Sequence, residues 1–98
     1  MIKVEYLSKA KDDLTEIHFY ISEDSVSAAD KMINKILDKV ELLGEFPEMG
    51  VQVSKLGSMK GYRMIPIKPY LVFYKLIGDV VYIYRVLHEK RYYKALLD

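Results

Sequence analysis

Apolar residues recur at helical spacing through the first half of the chain and change to strand-like runs in the second. Ile2, Val4 and Tyr6 alternate with Lys3 and Glu5, which is the period of a short strand with one buried face. Ala10, Leu14, Ile17 and Ile21 then mark one face of a first helix running to about Glu23, with Ser8 placed to cap it and Asp12 and Asp13 assigned to its first turn. Residues 22–27 read SEDSVS and supply turn and cap side chains. After them Ala29, Met32, Ile33, Ile36, Val40 and Leu43 form a second helical stripe that stops at Gly44 and Pro47. Two helices joined by so short a link are expected as an antiparallel hairpin.

Residues 45–61 carry Pro47, Gly50, Gly57 and Gly61 and read as a loop, with room for a short edge strand near 51–53. Three strands follow, over 62–67, 70–77 and 80–87, separated by Lys68-Pro69 and by Gly78-Asp79, a good two-residue hairpin turn. A tight second turn sets Ile77 opposite Val80 and Tyr74 opposite Ile83. Arg85 then shares a face with Tyr74 and Val72, while His88 shares the other with Tyr82 and Tyr84; a bulge reverses this. Residues 89–97 are expected to form a short final helix or tail. The order predicts one α+β domain over 1–98: an N-terminal strand, a helical hairpin and a three-stranded antiparallel meander packed on the helices. The far face of this small antiparallel sheet, and the edge beside the last strand, are expected to be free for a partner.

Composition narrows the function. The chain has no cysteine, which removes disulfides, thiolate nucleophiles and cysteine-based zinc sites, and His18 and His88 belong to no ligand pattern. Neither metal nor cofactor is expected. No apolar run is long enough for a membrane helix and the N-terminus lacks a signal-like stretch, so a cytoplasmic location is expected. The net charge of +1 conceals a division: residues 1–54 hold six Lys/Arg and eleven Asp/Glu, whereas 55–98 hold nine and three. A basic second half suits an anionic partner, although acidic helices attracting a basic sheet account for the same numbers.

Residues 61–93 contain seven of the nine tyrosines together with Arg63, Arg85, Lys90, Arg91 and His88. Metal-free RNA cleavage needs a base for the 2′-hydroxyl, cations on the phosphorane and an acid for the leaving oxygen. His88 fits base or acid, Arg63 and Arg85 fit the phosphorane, and Tyr92 fits proton donation or stacking. Lys60, Lys90, Arg91 and Tyr93 complete a candidate phosphate- and base-binding set. Each has a plainer use: His88 as a strand-end histidine, Arg85 as a packing arginine paired with a helix carboxylate, the lysines as a solvated face. Tyr70, Tyr74, Tyr82 and Tyr84 are sheet formers.

The chain resembles the RelE/ParE toxins of bacterial type II toxin–antitoxin modules. The likeness is carried by Ala10, Asp13-Leu14, Ile17 and Tyr20-Ile21, by Pro47 and Gly50, by Tyr62-Arg63, by Tyr70 to Tyr74, and by Arg85-Val86-Leu87-His88 with Arg91. The resemblance implies a growth-inhibiting toxin held inactive by a cognate antitoxin. RelE-like members cut messenger RNA on the ribosome as metal-independent endoribonucleases, and ParE-like members poison DNA gyrase. Cleavage of mRNA is the leading expectation on the strength of the side chains available, and gyrase inhibition the alternative. A non-catalytic protein acting through its antitoxin is a third possibility. RelE-like enzymes carry an arginine just after the tyrosine matching Tyr70; here the residue is Leu71.

Overall fold

The computed structural model describes residues 2–53 and 61–91. In chain order it contains β1 (Lys3–Tyr6), α1 (Ser8–Ser22), α2 (Val26–Glu41), a 3-10 turn (Leu42–Gly44), β2 (Val51–Gln52), β3 (Arg63–Ile67), β4 (Tyr70–Ile77) and β5 (Val80–His88). Ser25 caps α2 by accepting a hydrogen bond from the Ala28 N–H at 3.1 Å. The start of α1 differs from expectation. Leu7 is the N-cap, Ser8 is already helical, and Asp13 lies beyond the first turn, buried on the apolar stripe.

The strands form one five-stranded sheet in the order β1-β5-β4-β3-β2. β3, β4 and β5 make the expected antiparallel meander, with β2 antiparallel at one edge. β1 runs parallel to β5, from Lys3 opposite Val80 to Tyr6 opposite Ile83. The sheet is therefore mixed, and the last strand, expected at an edge, is covered by β1 from Val80 to Ile83. The helical hairpin intervenes between β1 and the rest of the sheet, and such a crossover returns the chain in parallel. No helix among the described residues is long and apolar enough to cross a membrane.

The core lies between the hairpin and one sheet face. Ala10 and Ile17 of α1, Ile36 and Val40 of α2, and Leu43 meet Ile65, Ile67, Tyr70, Val72, Tyr74, Val81, Ile83 and Val86. Each fully buried aliphatic side chain here contributes roughly 1.5–3 kcal/mol. β4, the central strand, is buried at every position from Tyr70 to Tyr74, consistent with its near-continuous apolar run.

The β4–β5 ladder begins in the tight register, Ile77 opposite Val80 and Tyr74 opposite Ile83, with Gly78 supplying the positive φ of the turn. A bulge then intervenes. Phe73 faces Arg85, so Tyr84 is the extra residue, Val86 comes opposite Val72, and His88 comes opposite Tyr70. His88 consequently joins the helix-facing set and leaves the Tyr82/Tyr84 face.

Two polar clusters fasten this arrangement. The Asp13 carboxylate receives the Arg85 guanidinium in two prongs, from Nε at 2.8 Å and Nη2 at 3.0 Å, and the Val86 N–H at 2.9 Å, joining α1 to β5 just past the bulge. At the other end of the sheet the Tyr74 hydroxyl accepts from the Gly50 N–H and donates to the Pro47 carbonyl, both at 2.8 Å. Gly50 has to be glycine, because a Cβ there would fall 2.7 Å from the Tyr74 oxygen.

Three outcomes are expected from these contacts. Asp13→Asn should lower the unfolding free energy by about 1–3 kcal/mol in urea titrations with an unchanged m-value, since Arg85 and Val86 keep only one good acceptor between them. Tyr74→Phe should cost about 1–3 kcal/mol and raise hydrogen exchange at Gly50, whose buried N–H loses its partner. The third concerns Tyr6, where burial, reinforced by nearby Glu41, pushes the phenol up to about 12. An unfolded tyrosine titrates near ~10, so the folded state retains a proton that the unfolded chain loses. The stabilisation is complete below pH ~10 and disappears as pH rises towards about 12. Urea midpoints should fall over that window, and Tyr6→Phe should make the fall shallower.

Candidate functional site

α1 and the end of β5 diverge beyond the Asp13–Arg85 contact and leave a cleft of about 700 Å³. Asp13, Glu16, Ile17 and Tyr20 form the α1 wall, Arg85 to His88 and Arg91 the opposite wall, and Tyr70 of β4 the base. Helical spacing puts residues 13, 16, 17 and 20 on one face, and the bulge brings His88 to the same side. Tyr70 and His88 meet edge to face with ring centroids 5.6 Å apart. Burial, with Tyr20 nearby, raises the Tyr70 phenol above its ordinary range.

Arg85 lies in this cleft as an ion-paired residue. Its hydrogen bonds to Asp13 raise its pKa against the opposing effect of burial, with the Asp13 and Glu16 charges adding to the rise. About a third of the side chain stays accessible, 33 % against 9 % for Asp13. Its positive charge is largely spent on a buried carboxylate, which weakens its pull on a phosphate.

His88 receives the Lys90 N–H at Nδ1, at 3.1 Å. That hydrogen bond assigns the tautomer: Nδ1 is the bare nitrogen, and the proton of the neutral ring sits on Nε2. In this arrangement His88 offers the cleft a donor rather than a general base. The following turn is held by the Arg91 N–H on the His88 carbonyl and the Glu89 N–H on the Pro69 carbonyl, both at 2.8 Å. Lys90 and Arg91 are exposed there, and Arg91 reaches the cleft rim.

Arg63 is elsewhere. It stands opposite Tyr74, whereas His88 stands opposite Tyr70, so four residues of β4, or about 13 Å, separate the two levels. Its Nη1 donates to the carbonyls of Gly50 at 2.7 Å and Glu48 at 3.2 Å, holding the same loop as Tyr74. Arg63 therefore braces a loop and does not converge with Arg85 and His88. Leu71 is buried beside Tyr70. Lys60, Tyr92 and Tyr93 lie outside the described residues. His18 bridges the hairpin, with Nε2 2.8 Å from Asp30 Oδ1. Among the described residues no cluster of His, Asp and Glu is placed to hold a metal.

The structure adds four cleft residues that the sequence pattern did not single out for a site: Asp13, Glu16, Tyr20 and Tyr70. Asp13 left a trace, a charged residue three positions from Ala10 and four from Ile17 on an otherwise apolar stripe. Tyr20 left none in the pattern: that it is 74 % exposed, beside Phe19 at 69 %, is seen only in the structure.

Comparison with known proteins accords with this architecture. Residues 4–93 match the family model described as the ParE toxin of the type II toxin–antitoxin system parDE. Toxin RelE2 of Caulobacter vibrioides is 30% identical over 91 residues, covering 93% of this chain and 99% of that protein. Among solved structures, a chain of the chromosomal ParDE system from P. aeruginosa superposes with a TM-score of 0.75 at 21% identity, covering 90% of this chain and 96% of that one. A chain of the E. coli DinJ–YafQ complex does so at 0.61 and 21%, covering 92% and 96%. These two structural likenesses speak for the fold, and the family match spans nearly the whole sequence. The chain belongs to the RelE/ParE superfamily and is a ParE-family toxin of a type II toxin–antitoxin system.

Proposed function

We propose that this toxin arrests growth in the bacterial cytoplasm by binding DNA gyrase, and that a cognate antitoxin keeps it inactive. The observation that carries this reading is the state of the arginines. Metal-free phosphodiester cleavage depends on cations aimed at the developing phosphorane charge. Arg85 is committed to Asp13, Arg63 to two loop carbonyls about 13 Å away along the sheet, and Leu71 is buried at the position where RelE-like enzymes carry an arginine. Glu16 also lines the cleft, and its negative charge opposes a phosphate. A protein target asks less: an exposed aromatic such as Tyr20, a cation such as Arg91 and a shaped recess between them. The match to the ParE family model supports the same assignment.

Cleavage of mRNA on the ribosome is the second reading. It is favoured by His88, which presents an Nε2–H donor in the cleft close to Arg91, and by the likeness to a relative named as a RelE toxin. In that reaction the protonated form of His88 would be the acid for the leaving oxygen, a second group would have to take the 2′-hydroxyl proton, and Lys60, Tyr92 and Tyr93 would supply further contacts. The antitoxin is proposed by likeness to chains solved within the DinJ–YafQ complex and the ParDE system. An acidic, amphipathic segment suits the cations of the cleft rim.

Purified gyrase with supercoiled plasmid should accumulate cleaved DNA when this protein is added, and primer extension on mRNA from expressing cells should show no codon-phased cuts. Codon-phased cuts with unaffected gyrase would replace the proposal with the second reading. Normal growth on expression without the antitoxin would overturn both. Tyr20→Ala and Arg91→Ala should each reduce gyrase poisoning at least ~10-fold with the thermal midpoint unchanged, because both side chains are exposed. Arg85→Ala should instead lower the thermal midpoint, because it leaves a buried carboxylate without its partner.

A further inference from the structure

The turn after β5 is tied to an imidazole. The Lys90 N–H donates to His88 Nδ1 at 3.1 Å, and this bond exists only while Nδ1 carries no hydrogen. Protonation of the ring places a second N–H there, so two donors face each other across the former hydrogen bond. The turn then depends on its two remaining backbone ties, Arg91 N–H to the His88 carbonyl and Glu89 N–H to the Pro69 carbonyl. The same turn carries Arg91 to the rim of the cleft, where the toxin meets its partner in the reading above.

We propose that His88 is a proton-sensitive latch: neutral, it holds the turn at residues 89–91 closed and Arg91 at the cleft; protonated, it releases Lys90 and loosens that turn. The groups around the ring are Tyr70 of β4, edge-on at 5.6 Å, Asp13, Glu16 and Tyr20 across the cleft on α1, and Arg85 on its own strand. Glu89, Lys90 and Arg91 follow on the turn itself. The latch does not depend on whether the toxin's target is gyrase or mRNA.

A pH titration of nitrogen-15-labelled protein by NMR tests this directly. The Lys90 amide and the His88 ring resonances should move with one common midpoint. Protection of the Lys90 amide from exchange, corrected for its intrinsic pH dependence, should fall about three- to tenfold on the acid side, the loss expected for one hydrogen bond. His88→Phe keeps a ring against Tyr70 and removes the acceptor, so its Lys90 amide should no longer respond to pH. A His88 ring that titrates while the wild-type Lys90 amide stays fixed overturns the proposal. So does a neutral ring whose nitrogen shifts place the hydrogen on Nδ1. Both readings use the wild-type protein and stand even if the variant fails to fold.

Discussion

A single buried carboxylate joins the two halves of this molecule. Asp13 lies on the apolar stripe of α1, where an unpaired charge would be prohibitive, and it is accommodated because β5 supplies three donors to its two oxygens. Two of the three come from one guanidinium with matching bidentate geometry, and the third is the backbone N–H of Val86. A hydrophobic residue at position 13 would pack, but it would not specify the height of α1 along β5. The cleft on the far side of this contact owes its walls to that specification.

The bulge at Tyr84 is the second constraint, and it acts through the two-residue period of a strand. One extra residue changes which side chains beyond it face the helices, so Val86 enters the core and His88 comes over Tyr70. Parallel pairing with β1 covers the outer edge of β5 from Val80 to Ile83. Together these turn an apparently basic sheet edge into a recess bounded by helix and strand, with carboxylates, guanidinium groups and tyrosines in close opposition. Such a mixture suits selective contact with a protein better than broad attraction to a polyanion.

Much of the architecture was legible residue by residue. The alternation of Ile2, Val4 and Tyr6, the stripes from Ala10 to Ile21 and Ala29 to Leu43, and the Gly78-Asp79 turn each report a local period or a local backbone requirement. The short strand at Val51–Gln52 and the meander fell where those signals placed them. The site was less legible. Arg63, Arg85 and His88 are close neighbours by type and were grouped by type, yet Arg63 braces a loop near one end of the sheet while the other two line a cleft near the other end. No local period encodes which carbonyl or carboxylate a guanidinium meets, because its partner lies many residues away along the chain.

The sequence by itself determined the element order, the hairpin of helices, the apolar faces and the family, because each follows from spacing or from residues matched in register along one chain. Only the tertiary structure decided that β1 runs parallel to β5, that Tyr84 is the bulged residue, that Arg85 is spent on Asp13, and that the neutral His88 ring carries its proton on Nε2. These depend on groups brought together from distant positions, 72 residues apart for Asp13 and Arg85, and their energies exist only once packing has fixed those distances.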